Sequence, residues 1–241
     1  MDDASYREWR GDTPGRRLSL ALLLYLASGF LPLWIDRLLG GSGRDLTTLA
    51  GQERAAILGL CCSGALVLLT RWLPRPWRWR VGGGALGQTL GLYVLFALLW
   101  IPLALVLYPW LLERAGVVLP PQPMLEYFVR QPPSIGGWLA MMALVCVIGP
   151  TFEEVVFRGY LQAACRQVMP APAAVVLTAA VFGLLHGPLY ALPVGLLGLF
   201  FGWVHERHGG LLAAIVAHAA HNTLTVLVNT VFPQVFEWVY E

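Results

Sequence analysis

The chain has 241 residues, 57% of them hydrophobic and 12% charged, against roughly 25% charged in an average soluble domain. Its 16 basic residues are all Arg, and 14 acidic residues leave a net charge of +2, which excludes a nucleic-acid binder that works by neutralising phosphates. A mean hydropathy of +0.64 excludes a disordered chain and points to a polytopic membrane protein.

Residues 1–17 read as a polar N-terminal segment and 18–241 as a single transmembrane domain. Arg16-Arg17 ahead of an apolar run has the look of a signal, but a cut after Ala27 would put Tyr25 where a small residue is needed. The run 18–35 is therefore expected to be a retained first helix. Further apolar runs cover 55–70, 85–112, 138–165, 172–187, 189–204 and 211–231. The expected fold is all-α, a transmembrane helical bundle of about seven (six to eight) spans of ~20 residues. Pro102 and Pro109 predict a kink in the long third run.

Between the runs, 72–80 alternates Trp with Arg, the pattern of an interfacial anchor. The Pro-rich stretch 120–137 reads first as an interfacial helix and second as a lid over a substrate. Gly83, Gly87 and Gly91, and likewise Gly198 and Gly202, recur at the four-residue spacing of close helix packing. Cys61, Cys62, Cys146 and Cys165 show no metal or redox spacing and read as small packing residues. With seven spans, Arg7, Arg10, Arg16, Arg17, Arg71, Arg75, Arg78, Arg80, Arg166 and Arg207 fall on one side, and Arg37, Arg44, Arg54, Arg114 and Arg130 on the other. That bias predicts a cytoplasmic N-terminus.

Within the spans, ionisable groups are few, and a charge at membrane depth is a functional hypothesis by default. Glu153, Glu154 and Arg158 lie in the fourth run, His186 ends the fifth, and His218, His221 and Asn222 lie in the seventh. Glu154 and Arg158 are spaced i,i+4 and predict an ion pair, which leaves Glu153, about 100° around the helix, free for another task. Pro150 cannot donate to the carbonyl of Cys146, so a kink or hydrated pocket is expected one turn before Glu153. If the fourth and fifth helices turn near Pro170, Glu153 and His186 stand level, about 25 Å from the turn. His218 is only about 15 Å past the turn near His208 and matches that depth less well. A carboxylate and an imidazole at one level can deprotonate a water, and a second imidazole with an amide can stabilise an oxyanion. Together they describe peptide hydrolysis. The alternative is a zinc site with Glu153, His186 and His218 as ligands.

Glu-Glu-x-x-x-Arg at 153–158, Phe-x-x-x-His at 182–186 and His-x-x-x-Asn at 218–222 resemble the three motifs of the CPBP family. These are the CAAX-type and bacteriocin-processing intramembrane proteases, type II CAAX prenyl endopeptidases among them. The resemblance covers about 140–225, within a motif core of about 138–231. It implies an intramembrane endopeptidase without cofactor, acting on a membrane-associated protein or peptide. Glu153 would be the general base, His186 its partner, His218 and Asn222 the oxyanion donors, with Glu154, Arg158 and Phe182 in support. His221 lies outside the motifs and reads as a core or cavity-lining residue, and His205 and His208 as solvated. An immunity-type or binding protein of the same fold is the alternative, and a proton-relay transporter a further one. A chain that uses no Lys suggests GC-rich coding, hence a bacterial cytoplasmic membrane.

Overall fold

The computed structural model describes residues 13–41, 48–73, 75, 77–130 and 134–240, and every regular element among them is a helix. Helix α1 (Pro14–Leu38) begins four residues before the apolar run. Thr13 Oγ1 accepts the Arg16 amide at 3.2 Å, and Pro14 presets φ at the first helical position. Arg16 and Arg17 are thus helical rather than part of a polar tail. Arg17 is buried, with Nη1 on the Ala163 carbonyl at 3.1 Å.

Helix α2 (Leu49–Leu69) starts at a Thr48 cap and ends in a tight turn through Trp72. Helix α3 (Ala85–Arg114) carries a wide π-turn, Leu103–Leu107, between Pro102 and Pro109, where a proline kink was expected. There follow α4 (Pro123–Arg130), α5 (Ile135–Cys165), α6 (Ala171–Leu185), α7 (Ala191–His208), α8 (Leu211–Val231) and α9 (Pro233–Tyr240). Among the described residues five helices, α1, α2, α3, α5 and α8, are long and apolar enough to cross a membrane. The 15-residue α6 and the polar-tailed α7 complete a bundle of about seven spans.

Helix α5 lies at the centre, and Val155, Val156, Phe157 and Tyr160 are almost wholly buried among α1, α6 and α8. Helices α6 and α7 form the tightest pair. A Cβ at Gly198 would stand 3.1 Å from the Ala179 Cα, and one at Gly183 only 2.9 Å from the Gly195 backbone. The packing role expected of Gly198 and Gly202 holds, since a Cβ on Gly202 would meet Gln162 and Val175. Gly83, Gly87 and Gly91 differ: a Cβ there would meet nothing within 4 Å, so they mediate no close approach among the described residues.

The Trp-Arg stretch also departs from expectation. Trp72 is exposed, but Trp77 is buried edge-on against Tyr160, ring centroids 4.7 Å apart, over the bare face of Gly159. The Arg78 and Trp79 carbonyls accept the Leu211 and Leu212 amides at 2.8 and 3.2 Å. An α-helix leaves its first amides unpaired, and this strap satisfies two of them for α8. The α7–α8 turn is consequently covered, with Gly210 and Leu211 buried. His205 is buried too rather than solvated.

Helix α4 is a short amphipathic helix, as expected between spans. Leu125, Tyr127 and Phe128 pack against Val226 of α8 and Phe236 of α9. Glu53 Oε1 accepts the Ser134 amide at 2.8 Å and the Tyr127 hydroxyl at 3.4 Å, and the Tyr190 hydroxyl donates to the Pro120 carbonyl. Burial and the adjacent Glu53 carboxylate push the Tyr127 hydroxyl pKa up to about 12. Cys62, Cys146 and Cys165 are buried, and Cys61 is exposed.

Candidate active site

Glu153 and Glu154 occupy a single α-helical turn, Gly149–Glu154, between two π-helical stretches of α5, Leu144–Ile148 and Val155–Gln162. Pro150 accounts for the first. It has no amide hydrogen, and the ladder slips so that the Gly149 amide donates to the Leu144 carbonyl, five residues back. In that register the Val145 carbonyl faces Pro150, and Asn222 Nδ2 donates to it at 2.8 Å. The carbonyl met by a side chain is therefore Val145 rather than Cys146. An amide nitrogen has two hydrogens, so this bond leaves Asn222 one more to donate.

Glu154 is fully buried and pairs with Arg158, whose Nη1 lies 3.0 Å from Glu154 Oε1. Arg158 also donates Nη2 to the Gly198 carbonyl at 2.9 Å and lies over the Phe182 ring, 4.8 Å from its centroid. The same Glu154 oxygen stands 2.8 Å from His218 Nδ1. Arg158 stays protonated, so its partner is a carboxylate that only accepts, and the hydrogen between them belongs to Nδ1. Phe201 stacks on the His218 ring at 4.6 Å and holds its plane.

His186 caps α6. Its Nδ1 lies 2.8 Å from the Phe182 carbonyl, so this nitrogen also carries the hydrogen, and Phe182 packs on the ring at 4.6 Å. Each ring thus spends its Nδ1–H on a fixed acceptor and turns Nε2 toward Glu153. Those two nitrogens face Glu153 Oε2, at 4.0 Å from His186 and 3.7 Å from His218. Neither gap is a hydrogen bond, so each pair is open to a water seated beside it on the cavity side.

The structure thus brings Glu153, Glu154, Arg158, Phe182, His186 and His218 together, with Asn222 one turn beyond His218. His218 is nearer to Glu153 than His186 is, although its depth along the chain matched less well. The reason is the inset α7–α8 turn: it stops beneath the strap, whereas the α5–α6 turn at Pro170 is exposed.

Glu153, Phe182, His186, His218 and Asn222 line a cavity of about 1220 Å³ that extends between α1, α2, α4 and α9. Tyr25 of α1 and Tyr190 share this lining and carry no motif signal. His221 lines it as well, with Nδ1 3.2 Å from the Tyr93 hydroxyl and Trp100 edge-on at 4.6 Å. Among the described residues no set of three His, Cys, Asp or Glu side chains is arranged to hold a metal ion.

Residues 135–224 match the family model described as type II CAAX prenyl endopeptidase Rce1-like. The match runs from the start of α5 into α8 and contains all three motifs. It agrees with the resemblance read from those motifs and supports a protease that works in a membrane. No curated protein and no solved structure matches the chain.

Proposed function

We propose that the chain is an intramembrane endopeptidase in which Glu153 activates a water to cleave a peptide bond of a membrane-associated protein or peptide. One observation carries this reading: the Nε2 atoms of His218 and His186 stand 3.7 and 4.0 Å from the Glu153 carboxylate, at the wall of the large cavity. The family match over the same residues supports it.

A water there donates one hydrogen to Glu153 and the other to His186 Nε2. Glu153 takes its proton as the oxygen attacks the substrate carbonyl, and returns it to the leaving amine. The oxyanion accepts from the remaining Asn222 hydrogen and from His218, which acts as an imidazolium with Nδ1–H on Glu154 and Nε2–H on the oxyanion. Phe182 holds His186, and Glu154 with Arg158 holds His218.

Zinc fits the donor types but less well their spacing. Tetrahedral ligation with bonds of about 2.1 Å would bring donors within about 3.4 Å of one another, and His186 Nε2 and His218 Nε2 lie 4.0 and 3.7 Å from Glu153 Oε2. The reaction is therefore written without a metal, and cleavage is expected to survive a chelator. The bacterial cytoplasmic membrane, with the N-terminus inside, is the proposed setting on the Arg bias and the absence of Lys.

The test compares cleaved membrane-protein termini in cells with wild-type protein and with the Glu153→Ala variant. Termini that depend on Glu153, from a variant that still inserts, are the expected result. Full cleavage by that variant would falsify the assignment. A function that survives substitution of Glu153, His186 and His218 together would instead mark an immunity-type or binding protein. Glu153-dependent proton flux without proteolysis would mark a transporter.

A further inference from the structure

The chain contains no Lys, and among the described residues lining the catalytic cavity Arg54 is the only Arg. The wall around it mixes Asp36, Thr48 and Gln52 with the apolar Leu33 and Leu58. Arg54 Nη1 lies 3.4 Å from Asp36 Oδ1, yet the two partners differ sharply in burial. The Asp36 side chain is 7% exposed and that of Arg54 is 56% exposed. Asp36 is set into the end of α1, where its carboxylate leaves no room for a Cβ on Gly41. The contact engages one guanidinium nitrogen of a group that offers five N–H donors in a planar fork. Asp36 thus anchors the guanidinium, and most of its donors remain for another acid.

Arg54 also sits at a definable depth. Helices α2 and α5 run side by side in the same direction. Glu53 accepts the Ser134 amide at the start of α5, and a Cβ on Gly59 would stand 3.1 Å from the Leu144 side chain. Arg54 is therefore level with the first turn of α5, and Glu153 lies roughly 15 residues further on, about 20 Å at 1.5 Å per residue. An extended peptide covers that distance in about six residues at 3.3 Å each. A terminal carboxylate three residues from the cut reaches only about 10 Å and falls short.

We propose that Arg54 is an anion subsite of the cavity, which takes a carboxylate of the substrate peptide about six residues from the bond to be cut. The subsite rests on the peptidase reading for its role, and it sets the register of the substrate. An Asp, a Glu or a chain terminus supplies the same carboxylate chemistry.

The test uses the full-length chain in detergent micelles and peptides of one apolar sequence that carry a single Glu, each with a twin that has Gln in its place. With Glu153→Gln, which binds without turnover, the Glu peptide is expected to bind about tenfold tighter than its twin. Arg54→Gln abolishes that preference and leaves the twin's affinity unchanged. Asp36→Asn, which releases the guanidinium, preserves or increases the preference. In the wild-type protein, moving the Glu by two residues moves the cut by two in the same direction, read by mass spectrometry. Equal binding of the twins, an equal loss of both in Arg54→Gln, or a cut that stays in place overturns the proposal. Arg54-dependent binding of short-chain phosphatidylglycerol with no Glu preference also overturns it, because the subsite then belongs to lipid. Arg54-dependent binding without cleavage of any peptide by the wild type leaves the subsite standing and removes the peptidase reading.

Discussion

Glu154 Oε1 accepts from two side chains at once, His218 Nδ1 at 2.8 Å and Arg158 Nη1 at 3.0 Å. The i,i+4 spacing foretold the second contact but not the first, because no spacing within one helix reports a partner 64 residues away. This oxygen holds the His218 ring through Nδ1, and Arg158 holds the oxygen. Replacing Glu154 with Leu alone leaves a buried guanidinium uncompensated and is expected to cost about 3–5 kcal/mol. Glu154→Leu combined with Arg158→Leu removes both charges and should recover most of that loss, read as thermal unfolding in detergent. Cleavage by the double variant should stay about 100-fold down, because loss of a group that orients a site histidine typically costs 10–100-fold. A double variant that is stable and fully active would show that Glu154 has no part in orienting His218.

At the scale of elements, the glycines separate contacts that motif spacing alone cannot. Gly183 lies three residues before His186, and a Cβ there would press on the Ala191 carbonyl and the Gly195 backbone. Backbone cannot yield as a flexible side chain can, so Gly183→Ala should force α6 off α7 and carry His186 away from Glu153. The expected outcome is a lower unfolding temperature and at least about a tenfold loss of cleavage, since overpacking costs about 1–3 kcal/mol. Gly87→Ala on α3 meets open space and should be neutral or slightly stabilising in the same assays. The existence and order of the main spans, and the three motifs, were legible because hydropathy and residue type are local. What was not legible arose from long-range contacts: the strap at Trp77–Arg80 that buries the α7–α8 turn, and with it the true depth of His218. The slip of the α5 ladder at Pro150 was half legible. The missing donor is written in the sequence, but its consequence at Val145 depends on Asn222 from another helix.

The whole molecule buries a set of charged and polar groups while many large apolar side chains face outward. Glu154, Arg158 and Gln162 are fully buried, whereas Leu95, Leu98 and Leu99 of α3 and Leu22, Leu23 and Phe30 of α1 are exposed. In water, contiguous apolar surface of this kind would drive association; in a bilayer it meets hydrocarbon, and the buried polar groups pair with one another. This arrangement predicts a cost that depends on depth rather than on burial. Leu99 is 78% exposed near the middle of α3, and Leu39 is 71% exposed at the end of α1 beside Arg37. On a water-soluble surface either Leu→Arg change would fall within about 0.5 kcal/mol of neutral. In the membrane, Leu99→Arg should cost about 2.5–3.5 kcal/mol of insertion free energy, while at Leu39 the long side chain reaches the interface at little cost. Insertion measured with a glycosylation-site reporter on each variant decides the matter. An equal response at the two positions would mean that α3 does not cross the bilayer, and the centre of the bundle would then need a different solvent from the one its surface implies.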